Sequence, residues 1–108
     1  MNNKTVLAKA VLKAAEQLCL EQAQLEQVLN LHHTEIIELD PGSKSGQKAL
    51  LLIQVFQSLY ALNGGDIEWI RHFMNSQNRV TGGIPIEQIQ QKAGLIKVLE
   101  SVQSLGSK

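Results

Sequence analysis

Cysteine, proline and aromatic residues are all scarce in this chain, and each scarcity narrows what it can be. The single cysteine, Cys19, has no partner for an intrachain disulfide, so the fold must hold without one. Aromatic residues make up 4% of the sequence, so the core has to rest on Leu, Ile, Val and Ala, which suits helices packed on helices. Long hydrophobic runs are missing as well: the longest, residues 49–53, is far too short to cross a bilayer. Lys4, Lys9 and Lys13 interrupt every apolar run near the start, so no secretory pattern opens the chain and a reducing cytoplasm is the expected setting. Neither sign of charge is in excess, with ten basic and ten acidic residues, and composition alone gives no reason to expect nucleic acid, an anionic membrane or an acidic substrate as partner. No stretch alternates apolar and polar residues over the length of a strand, and the expected fold class is all-α.

What is present is a run of helix-spaced apolar residues with clear punctuation. A chain of 108 residues is long enough to bury roughly two thirds of the surface its unfolded form exposes, so one compact unit is expected. Leu7, Val11, Ala14 and Leu18 lie on one face of a helix over residues 5–18. A second helix over residues 22–29 buries Leu25, Val28 and Leu29, and Asn30 can end it in a left-handed conformation. Ile36, Ile37 and Leu39 suggest a short third helix, closed by Asp40-Pro41-Gly42. After a linker-like stretch at residues 43–46, residues 47–62 form the most apolar helix, with apolar side chains on more than one face as a central helix requires. Asp66 is a good N-cap for a helix ending at Asn75, on which Trp69 and Phe73 share a face. Pro85 and Glu87 suit the first turn of a further helix, and a last one after Gly94 carries Leu95, Val98, Leu99, Val102 and Leu105.

Residues 78–85, Asn-Arg-Val-Thr-Gly-Gly-Ile-Pro, interrupt this helical pattern. Asn78 can bond local backbone, Gly82 or Gly83 can take positive φ, and Pro85 can start the next helix. Taken with Phe73-Met74 before it and Gly94-Leu95 and Val98-Leu99 after it, the segment resembles the toxin-binding domain of the Xre/MbcA/ParS antitoxin family. That family shows an aromatic-Leu pair, an Asn, a Gly before a Pro, and a later Gly-Leu followed by Val and Leu. The resemblance extends to the N-terminal part, where residues 18–39 are similar to the family's helix-turn-helix module. It implies a division into a helix-turn-helix-like module at 1–43 and a helical toxin-binding domain at 44–108.

Two departures stand out. Phe73 occupies the place where the family usually has Trp, and the chain's own Trp69 comes one helical turn earlier. The segment equivalent to a DNA-reading helix offers His32, His33, Glu35, Glu38 and Asp40, and residues 21–43 hold no Lys or Arg to offset the carboxylates. DNA binding and autorepression are therefore weak expectations.

Catalytic and metal chemistry find little support. His32 and His33 invite a metal site with His72, Cys19 or Asp40, but neighbours on a helix point about 100° apart and no His-x-x-x-His or Cys-x-x-Cys spacing is present, so no metal is expected. Cys19 lies between Leu18 and Leu20 and reads as an inert, buried thiol instead of a nucleophile. Gly64-Gly65 and Gly82-Gly83 read as helix breaks, since a phosphate loop needs a preceding strand and a following Lys. Trp69 and Phe73 are expected in the core.

The resemblance thus implies a non-enzymatic antitoxin without cofactor that covers the active site of a RES-type, NAD-consuming toxin. The residues it singles out are Asn78, Arg79, Gly82, Gly83 and Pro85 in the turn, with Lys97, Glu100 and the C-terminal tail on the last helix. It also implies a homodimer. The competing expectation is a helix-turn-helix transcriptional regulator whose C-terminal part only dimerises; its positive face would have to come from Lys4, Lys9, Lys13, Lys44 and Lys48.

Overall fold

The most apolar segment does form the central helix. In a computed structural model, which describes residues 2–106, the elements are α1 (Asn3–Gln17), α2 (Gln22–Leu29), a single 3-10 turn (His33–Glu35), α3 (Lys44–Leu62), α4 (Ile67–Asn75), the short α5 (Pro85–Gln88) and α6 (Lys92–Gly106). Among the described residues there is no strand, only one isolated antiparallel bridge between Asn78 and Gly83. The protein is all-α. No helix of the described residues is long and apolar enough to cross a membrane.

Leu52, Val55 and Leu59 of α3 are fully buried, and α1 and α6 both pack along this helix. From α1 come Leu7, Ala8, Val11 and Ala15; from α6 come Leu95, Val98, Leu99 and Val102; α4 adds Ile70, Phe73 and Met74. One continuous cluster of buried residues runs from Leu7 to Val102 and takes in both sides of the expected boundary at residue 43. The stretch expected to be a linker at residues 43–46 is instead the start of α3. Ser43 is its N-cap, with Oγ accepting from the Gly46 amide at 3.0 Å, and the Ser45 hydroxyl donates to the Leu29 carbonyl at 2.8 Å, tying α3 to the end of α2.

Three helices end the same way, with a left-handed residue and an amide that reaches back five residues, the arrangement that satisfies the last orphan carbonyls. Asn30 (φ 56°) does this for α2 and Gly64 (φ 60°) for α3, through Leu31 N–H to Glu26 O and Gly65 N–H to Tyr60 O. In α1 the same role falls to Cys19 (φ 69°), with Leu20 N–H bonded to Ala15 O at 2.9 Å. That conformation turns the thiol outward, so Cys19 is exposed and not the buried core thiol its flanking leucines suggest.

One expected helix is absent and several boundaries move. The last helix starts at Lys92, before Gly94, and the expected third helix over residues 36–39 is absent. Its backbone is drawn away to α1: Leu39 N–H donates to Lys4 O at 3.0 Å, and the Asn2 side chain donates to Glu38 Oε2 at 2.8 Å. Ile36 and Leu39 turn inward while Ile37 is left 69% exposed, so the segment crosses the core as an irregular turn.

Gly46 and Gly94 sit in the first turns of α3 and α6 because a backbone carbonyl presses on each, Asp40 O and Gln88 O respectively, where a Cβ would overlap it. Gly→Ala in a helix normally stabilises by up to about 1 kcal/mol. Here the sign is expected to reverse: Gly46→Ala and Gly94→Ala each should lower stability by about 1–3 kcal/mol, read as a smaller urea midpoint. Cys19→Gly is expected to raise stability by about 1 kcal/mol in the same measurement, by removing the Cβ from a left-handed position.

Candidate functional site: the turn between α4 and α6

Helix α4 stops at Ser76, whose backbone is extended, and the chain then closes a loop on itself. The amide of Asn78 donates to Gly83 O at 2.9 Å, while Asn78 O accepts from the Gly82 and Gly83 amides at 2.9 and 3.2 Å. Inside this ring the Asn78 side chain does the work of a cap: its Oδ1 accepts from the amides of Val80 at 2.8 Å and Thr81 at 3.3 Å. Gly82 supplies the left-handed residue (φ 81°), whereas Gly83 has negative φ and is kept small by the Gln88 side chain lying over it. Pro85 then opens α5 and is buried.

The turn is anchored from below. Thr81 is the one fully buried polar residue among the described residues, with its hydroxyl donating to Gly83 O at 3.2 Å. Gln88 Nε2 donates to Thr81 O at 2.7 Å, and Gln88 Oε1 is buried without a hydrogen-bond partner. From α6, the Ser101 hydroxyl donates to Val80 O at 3.2 Å, and the Lys97 ammonium lies over Gly82, where a Cβ would come within 3.0 Å of it.

The residues singled out in the sequence therefore fall into two groups. Asn78, Gly82, Gly83 and Pro85 shape the turn through backbone bonds and close approach. Arg79, Lys97 and Glu100 are exposed, and of these the turn brings Lys97 to its own surface. Sequence reasoning missed Val80, 47% exposed at the tip, and the anchors Thr81, Gln88 and Ser101. Their signal was faint: a β-branched Thr before a Gly pair, and a Ser four residues after Lys97. On α6 itself Leu105 is exposed and not part of the buried face. The expected contribution of the tail beyond residue 106 lies outside the described residues. Trp69 stacks on the buried Phe73 at 5.5 Å between ring centroids and is half-buried against the core.

The N-terminal region is organised around a second loop. Where a recognition helix was expected, the 3-10 turn is capped by His32, and Glu35 Oε1 accepts from the His32 amide at 2.9 Å. Glu26 of α2 accepts from the His33 amide at 2.7 Å and pairs with His33 Nδ1 at 2.8 Å. These bonds, the backbone one foremost, hold the Glu26 carboxyl below its ordinary value of 4.5. Next to this loop Leu12, Leu20, Leu25 and Ile36, with Cys19 and His33, line an open groove of about 550 Å³.

No family model matches the chain, and no curated protein matches it.

Two outcomes follow from these geometries. Asn78→Ala, which strips the turn of two hydrogen bonds, should cost about 1–2 kcal/mol in urea unfolding. Glu26 has a depressed folded-state pKa, so the stability it lends is present above its unfolded value and lost as pH falls through the folded one. Urea midpoints measured on either side of pH 4.5 should therefore drop less steeply for Glu26→Gln than for the natural chain.

Proposed function

We propose that this chain is an antitoxin that binds a RES-type, NAD-consuming toxin and neutralises it by covering the active-site cleft. The support is the ordered resemblance across residues 73–99, together with one observation: the turn at 78–83 is bonded into a fixed shape that holds the Lys97 ammonium over Gly82. A rigid, cationic, surface-exposed turn loses little conformational entropy on docking, and it suits a cleft built for an anionic dinucleotide. Arg79 adds a guanidinium on the same turn, a group well matched to a carboxylate or a phosphate.

In this proposal Val80 is the apolar tip, Arg79 and Lys97 confer charge, and Glu100 on α6 is a rim contact. Asn78, Gly82, Gly83 and Pro85 act by holding the tip in place. Inhibition is steric, so no group on the antitoxin needs a perturbed pKa or a nucleophile. Assembly as a homodimer belongs to the same proposal.

A DNA-reading role is the weaker proposal. Residues 31–43 present a single 3-10 turn and irregular turns, with no α-helix among them to enter a major groove, and their acidic side chains are unaccompanied by Lys or Arg.

The test is co-expression with a RES-type toxin, scoring growth and co-purification. The natural chain should restore growth. Arg79→Glu combined with Lys97→Glu should abolish rescue and weaken the complex by at least about 2 kcal/mol, while leaving the thermal midpoint within a few degrees of the natural one. Full rescue by the doubly reversed chain would exclude this face as the contact.

A further inference from the structure

Two of the chain's three histidines are adjacent, and the physical ground for dismissing them does not hold in the folded protein. Neighbours on an α-helix diverge by about 100°, but His32 lies outside any α-helix, as the extended cap (φ −74°, ψ 145°) of the 3-10 turn. Its ring therefore swings onto that of His33, with centroids 4.4 Å apart and planes inclined by 33°. Glu26, reaching up from the last turn of α2, completes the group, and one donor atom from each of Glu26, His32 and His33 lies within 4.8 Å of the others.

The arrangement is fixed by backbone chemistry instead of by chance overlap of surface side chains. Asn30 in its left-handed conformation turns the chain back over the end of α2, and Leu31 N–H bonds to Glu26 O at 3.2 Å. The His33 amide holds the Glu26 carboxylate at 2.7 Å. With its proton on Nδ1, His32 donates to the Thr34 hydroxyl at 2.9 Å and leaves Nε2 free, the kind of outer contact that sets a metal-binding imidazole.

We propose that Glu26, His32 and His33 form a binding site for a divalent transition-metal ion of the zinc class. Two imidazole nitrogens and one carboxylate oxygen are a donor set that suits zinc, and three protein ligands leave a fourth position open. Calcium and magnesium want more oxygen ligands than this loop offers. The bound ion takes the place of the hydrogen that now joins His33 Nδ1 to Glu26, and the two ligand atoms move apart from 2.8 Å to admit it. The site is at the surface, with Glu26 half-buried and both histidines exposed, so the ion is exchangeable. This inference is independent of the antitoxin proposal, since none of its residues belongs to the turn between α4 and α6.

The experiment is calorimetric titration of the tag-free, chelator-treated full chain with Zn²⁺, repeated with Co²⁺ while following visible absorption. One equivalent should bind with micromolar affinity, and Co²⁺ should give the d–d bands of an ordered site. His32→Gln and His33→Gln should each weaken binding by about tenfold or more, while His72→Gln, on α4, should leave it unchanged. Paramagnetic broadening by Co²⁺ in the natural chain gives a readout that needs no variant: the imidazole signals of His32 and His33 should broaden and that of His72 should not. Absence of saturable binding, equal binding by the double variant His32→Gln/His33→Gln, or broadening centred on His72 would overturn the proposal.

Discussion

Burial of α3 along both α1 and α6 is the constraint on which the rest of the molecule depends. With so few aromatic residues, the chain has to draw its cohesion from many Leu, Ile, Val and Ala contacts, and only a helix apolar on two sides can bring the two halves into one core. Leu52, Val55 and Leu59 are completely excluded from solvent as a result. The loops then have little freedom. Asp40 O and Gln88 O are pressed against the first turns of α3 and α6, and the glycines at 46 and 94 are what let those turns begin so close to the preceding chain.

That packing explains how a small helical protein can present a stiff, non-helical surface. The turn at residues 78–83 is held by its own backbone ring, by the Asn78 side chain, and by Gln88 and Ser101 from the elements that follow. Because α6 is fixed on α3, the Lys97 ammonium has a defined place over Gly82. The turn reverses the chain between α4 and α6 and displays Arg79 and Val80 beside Lys97 of α6.

Much of the helical layout could be read directly from residue spacing. The second helix, the left-handed Asn30, the Asp66 cap and the first-turn Pro85 lie where local chemistry puts them, because each depends on only a few neighbouring residues. The failures have different causes, long-range competition at Leu39 and local backbone geometry at Cys19 and His32. Leu39 spends its amide on Lys4 O in place of a helical bond, so the third helix does not form. Cys19 looks apolar by its neighbours, but helix closure forces it into the left-handed region and out to solvent. Helical geometry would hold the rings of His32 and His33 apart, and the absence of that helix is what brings them together. Within the candidate site, the turn formers were visible as residue types, whereas Gln88 and Ser101 matter through partners outside their own local stretch, Thr81 O and Val80 O.

The most direct test of the proposed role is amide hydrogen exchange on the protein alone and in complex with the RES-type toxin it is proposed to bind. If the turn and the outer face of α6 cover the toxin cleft, protection should appear at residues 78–83 and 96–104, with α2 and the loop at 30–35 unchanged. Formation of a complex that protects α2 and its loop, while leaving the turn exchanging as in the free protein, would contradict it.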